Sequence, residues 1–163
     1  MKTEHLLIMR FTALGEIAML VPVVSSLAQQ YPELRITVLS NPFARSLFDG
    51  LAHNVGFMAA DLNGEYHGVK GLNALYRRLV AKNFTAIADM QSILRSQYLR
   101  MRFNISSYRV EHLDNHRQDR RKLVAAKDKC LKQLPSLFDD YLDVLARLGY
   151  NVRLDFQSLF PPT

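Results

Sequence analysis

Apolar positions along this chain alternate between two rhythms. Short, mostly apolar stretches at 5–11, 34–39, 55–59, 85–89 and 108–110 read as strands. Longer stretches at 16–31, 44–51, 72–82, 94–103, 120–132 and 137–148 carry helical spacing. Strands alternating with helices predict an α/β fold: a parallel sheet with helices on both faces, joined by right-handed crossovers. Pro22 falls inside the first helical stretch. Because proline is best tolerated in a first turn, the stretch either kinks there or has its helix proper starting near Val21. Pro32 ends it, and Asn41-Pro42 opens the second helix. Residues 61–71, with three glycines and Asn63, read as a loop with no packed core of its own.

In open α/β folds ligands bind beyond the carboxyl ends of the strands. The segment Arg10-Phe11-Thr12-Ala13-Leu14-Gly15-Glu16-Ile17 leaves the first strand there. It reads as a tight glycine turn followed by a helix with a carboxylate on its first turn. Glu16 therefore stands where an acid or base can act, or where it complements the positive end of its helix. Gly15 serves a close turn or the approach of a ligand. Backbone N–H groups near Thr12 and Ala13 can bind a phosphate or sugar oxygen. The fourth strand ends in Asp89 at the same edge, with Gln91 and Arg95 following. A guanidinium at position 95 suits bidentate binding of a phosphate or carboxylate. Asp89 itself reads as a helix cap or as the partner of a nearby arginine.

Composition narrows the field of functions. The chain has 163 residues, one domain's worth. Its single cysteine, Cys130, excludes an internal disulfide framework and fits a reducing compartment. Lys2, Glu4 and His5 argue against a signal peptide, and no apolar run approaches a membrane span. The net charge of +6 groups at 95–109 and 117–132. Nucleic acid, an anionic membrane surface or a phosphorylated substrate each suit such a balance. No helix-turn-helix, zinc-finger or RNP-type pattern supports nucleic acid, and the second cluster also fits a solvated helix face. His112, Asp114 and His116 match no structural-zinc spacing, so no metal and no cofactor are expected.

Two motifs carry a resemblance. Arg10, Gly15 and Pro22 match the opening of the ADP-heptose–lipopolysaccharide heptosyltransferases (glycosyltransferase family 9): a strand, Arg-x-x-x-x-Gly-Asp, an apolar helix and a proline six residues after the acid. Glu16 stands where that family usually has Asp, which displaces the carboxylate by about one C–C bond, ~1.5 Å. Asp89, Gln91, Arg95 and Ser96 match a second family pattern, Asp-x-Gln with Arg-Ser on the next helix. The stretch from Tyr141 to Gly149 is similar to the helix closing the family's N-terminal domain. After Arg109 the family tends to have a Gly-aromatic pair where this chain has Glu111-His112.

The resemblance implies a Rossmann-like domain, the N-terminal, acceptor-side half of a GT-B glycosyltransferase, over residues 1–155. Residues 156–163 would begin an interdomain linker to a sugar-nucleotide domain. The implied reaction is inverting, metal-independent transfer of a heptose-like sugar from an ADP-sugar to a lipopolysaccharide core acceptor. Glu16 would be the base, and Thr12, Gly15, Gln91 and Arg95 would bind the acceptor. The implied location is cytoplasmic, peripheral to an anionic inner membrane, with Arg95, Arg100, Arg102 and Arg109 flanking the entry edge. This domain alone would be inactive. A non-catalytic flavodoxin-like binding or regulatory module is the alternative left open by the residues themselves, and a nucleic-acid binder is a third.

Overall fold

The computed structural model describes residues 4–105, 109–113 and 133–154. In chain order the elements are β1 (His5–Met9), α1 (Leu14–Ala18), α2 (Leu20–Gln30), β2 (Arg35–Ser40), a 3-10 turn (Pro42–Ala44) and α3 (Arg45–Phe48). They continue with β3 (Val55–Ala59), α4 (Gly68–Val80), β4 (Ala86–Asp89), α5 (Leu94–Ile105), β5 (Arg109–His112) and α6 (Gln133–Arg147). The expected helix at 120–132, Cys130, the basic cluster at 117–132, Asp114, His116 and the linker at 156–163 lie outside the described residues.

All five strands are parallel, in the order β3-β2-β1-β4-β5. β1 is central: Leu7 sits between Thr37 and Ile87, and Met9 between Leu39 and Asp89. Its alternation of side chains feeds two cores, as a two-sided sheet requires. Leu6 and Ile8 join Ile17, Leu20, Val24, Tyr141 and Val144 on one face. Leu7 and Met9 join Leu72, Leu75, Leu99 and Phe103 on the other. The chain runs outward from β1 to β3, then returns past β1 to β4. The strand order therefore reverses between β1 and β4, where a crevice is expected beyond their carboxyl ends.

Local differences from the sequence reading have physical causes. The first helical stretch divides at Met19 into α1 and α2, which puts Pro22 in the first turn of α2, where its missing N–H is tolerated. The 61–71 stretch is not an unpacked loop. Leu62 and Tyr66 are buried in the second core, and α4 already begins at Gly68. Gly71 makes this possible: a Cβ there would lie 2.1 Å from the Tyr66 carbonyl carbon. β1 stops at Met9, so Arg10 and Phe11 form the loop leading into the site.

Candidate functional site

The carboxyl ends of β1 and β4 meet at one buried guanidinium. Arg10 is only 5% exposed, and its donors are committed in three directions. Nε donates to the Thr12 carbonyl at 2.8 Å, one terminal nitrogen to the Met90 carbonyl at 2.6 Å, and the other to Glu16 Oε2. A cation this buried needs such partners. One side chain thus ties the end of β1 to the residue after β4 and to the first turn of α1.

Glu16 is the third residue of α1, and its Oε2 also faces the Ala13 N–H at 3.5 Å. The carboxylate therefore does complement the helix start, as one reading of the sequence has it. It remains 46% exposed while tethered to Arg10. A fixed carboxylate open to solvent can accept a proton from a ligand hydroxyl.

Gly15 departs from its expected role as a turn residue. It lies within α1, its φ is not among the positive ones, and a Cβ there would meet nothing within 4 Å. The backbone does not require glycine here, and the space over it is open.

The second motif is largely architectural. Asp89 is fully buried. Its Oδ1 accepts the N–H groups of Gln91 at 3.1 Å and Ser92 at 2.9 Å, and its Oδ2 meets Arg100 Nε at 2.9 Å. The arginine partner expected from sequence is thus Arg100. Burial pulls that guanidinium below its ordinary range, and the Asp89 carboxylate opposes the shift. Ser92 adopts a left-handed φ of 58° and donates its hydroxyl to the Leu113 carbonyl at 2.8 Å. Ser96 Oγ accepts the Ile93 N–H at 3.0 Å, closing the start of α5.

That turn presents Gln91 to β1. Its Oε1 accepts the N–H groups of Phe11 at 2.6 Å and Thr12 at 3.2 Å, and its amide nitrogen donates to the Thr12 hydroxyl. The structure therefore brings Thr12, Gly15, Glu16 and Gln91 to one edge. Arg95 is engaged separately, donating to Asn63 Oδ1 at 2.9 Å in the segment after β3.

The expected cationic rim needs correction. Arg100 is committed to Asp89. Arg102 stacks over the Tyr76 ring at 4.5 Å and donates to Asn73. Arg109 opens β5, so it lies at the opposite, amino edge of the sheet, bound to Glu4 at 2.8 Å and to Tyr150. Charge spacing in the sequence does not reveal which end of a strand a residue occupies. A cavity of about 410 Å³ also opens at the amino edge, lined by His5, Thr37 and Asn54, away from Glu16.

Among the described residues, no group of three His, Cys, Asp or Glu is placed to hold a metal. No helix among them is long and apolar enough to cross a membrane. One contributor escaped the sequence reading. Tyr141 on α6 is wholly buried and donates its hydroxyl to the Glu16 backbone carbonyl at 2.9 Å. In the sequence it stands only as the first residue of the stretch similar to a closing helix, with nothing local to tie it to Glu16.

No family model matches the chain, and no curated protein matches it. Solved structures do. The glycosyl transferase family 9 structure from Veillonella parvula DSM 2008 superposes with a TM-score of 0.64 at 16% identity, over 95% of this chain and 46% of that one. The E. coli heptosyltransferase WaaC with ADP-2-deoxy-2-fluoro heptose gives 0.62 at 15% identity, over 91% and 50%. WaaC with ADP gives 0.50 at 16%, over 66% and 34%. The chain has the Rossmann-like fold of these glycosyltransferases and spans about half the length of the first of them.

Proposed function

We propose that this chain is the acceptor-side domain of an inverting glycosyltransferase that takes a heptose-like sugar from an ADP-sugar. The observation that carries the reading is the Glu16 carboxylate, anchored by the buried Arg10 at the carboxyl ends of β1 and β4. The shared fold of a family 9 glycosyl transferase and of WaaC supports it. In this reading Glu16 takes the proton from the acceptor hydroxyl as that oxygen attacks the anomeric carbon. The nucleoside diphosphate departs from the opposite face, so the configuration inverts. Thr12, Gln91 and the open space over Gly15 receive the acceptor, with Arg95 on its flank. A lipopolysaccharide core glycolipid, presented at an anionic cytoplasmic membrane face, is the acceptor this reading names.

The test is transfer from an ADP-sugar, assayed in a protein that also carries a sugar-nucleotide-binding half. Glu16→Gln should lower kcat by about a hundredfold or more, the size of a lost general base, with nucleotide affinity unchanged. Near-normal turnover would remove Glu16 from the chemistry.

A further inference from the structure

The Arg10–Glu16 pair is touched from a third, distant element. Tyr141 lies 125 residues beyond Glu16 in sequence, yet its hydroxyl donates to the Glu16 carbonyl at 2.9 Å. The same ring faces the Arg10 guanidinium, whose carbon is 5.9 Å from the ring centroid. One side chain thus binds the backbone of the acid and the cation that grips its carboxylate. The break between α1 and α2 at Met19 puts the Glu16 carbonyl on a helix of only five residues, too short to hold its own position without tertiary support. Tyr141 supplies that support from α6, a helix of fifteen residues packed on α2 and β5.

We propose that Tyr141 is a positioning residue for Glu16, through which the docking of α6 sets where the carboxylate stands in the crevice. The proposal rests on the reading of Glu16 as the base, but its structural content does not. A buried phenol needs an acceptor, and here the acceptor belongs to the acid's own peptide unit. Burial drives the hydroxyl far above the ordinary tyrosine range, so it remains a donor across the working pH range. Phenylalanine would fill the same volume and keep the ring over Arg10, but it would leave the Glu16 carbonyl without this donor.

Two arms test the proposal. The first uses the 163-residue chain and NMR, without any turnover. In the wild type the Tyr141 hydroxyl proton should exchange slowly and show contacts to the Glu16 and Ile17 amides. In Tyr141→Phe the amide signals of Glu16 and Ile17 should shift, while amide signals in β2, β3 and α4 stay in place. A fast-exchanging hydroxyl, or Glu16 and Ile17 amide signals identical to the wild type, overturns the proposal. Should Tyr141→Phe not fold, the wild-type exchange measurement decides by itself. The second arm is transfer kinetics in a protein carrying both halves. Tyr141→Phe should lower kcat about tenfold, the scale expected for a slightly misplaced group, with KM unchanged. It should have no further effect in a Glu16→Gln background. An equal loss in that background would make Tyr141 a stability residue only. If no ADP-sugar is ever turned over, the glycosyltransferase reading fails while the NMR arm still decides the role of Tyr141.

Discussion

Asp89 Oδ2 lies 2.9 Å from Arg100 Nε, in a pair whose acid is fully buried and whose base is partly buried. The other Asp89 oxygen holds the turn that presents Gln91 to β1. Removing one partner leaves a buried charge uncompensated, which typically costs ~3–5 kcal/mol. Asp89→Asn and Arg100→Leu should each lower stability on this scale in urea denaturation. The double variant should lose clearly less than the sum, because the second change removes a charge already orphaned by the first. Additive losses would mean that the two groups do not act as a pair.

The centre of the sheet was legible because β1 and β4, covered on both faces, are written as nearly continuous apolar runs. Leu6 to Met9 and Ala86 to Ala88 can hardly be read otherwise. The placement of Glu16 followed from one topological rule, that loops after parallel strands gather at one edge. What the sequence hid were the long-range partners. That Arg10 turns inward to grip Glu16, or that Tyr141 reaches the same residue from α6, depends on tertiary packing rather than local spacing. The 61–71 segment misled for a related reason. Gly71 looks like a loop glycine, but it is needed for helix-to-backbone contact with Tyr66.

His5 should make stability depend on pH. It is buried at the start of β1, with Nε2 2.7 Å from the Thr37 hydroxyl and Nδ1 3.2 Å from the Lys82 carbonyl. Burial lowers its pKa below the ordinary histidine value, and the neighbouring charges of Arg35 and Lys82 push the same way. The unfolded chain therefore binds this proton at a higher pH than the folded one. Its contribution is complete above about pH 6.5, the unfolded value, and is lost as pH falls through the lower folded value. Urea midpoints measured from pH 7.5 to 5 should fall across that window in the wild type. In His5→Gln the fall should be smaller. Parallel curves would show that His5 is not the group titrating.

The chain alone should bind nucleotide poorly. Backbone N–H groups at the crevice are the natural anion donors, yet those of Phe11, Thr12 and Ala13 already face Gln91 and Glu16 oxygens. Isothermal titration of ADP should therefore give no affinity tighter than about millimolar, near −4 kcal/mol. Micromolar binding would contradict the division of labour proposed between two halves.

Two glycines should respond in opposite ways to the same substitution. At Gly71 a methyl group would collide with the Tyr66 backbone at 2.1–2.6 Å, and backbone cannot step aside as a flexible side chain can. Gly71→Ala should destabilise at or beyond the upper end of the ~1–3 kcal/mol typical of overpacking. At Gly15 the added methyl meets nothing within 4 Å and sits in a helix, where alanine is favoured over glycine by roughly 0.5–1 kcal/mol. Gly15→Ala should therefore leave the chain as stable as before or slightly more so. Its cost should appear only when the crevice is filled. If an acceptor lies against this turn beside Glu16, the methyl group occupies its space and raises the acceptor KM in a transfer assay, with thermal stability undiminished. A variant with unchanged KM would show that the acceptor approaches Glu16 from another side, and Gly15 would leave the list of binding residues.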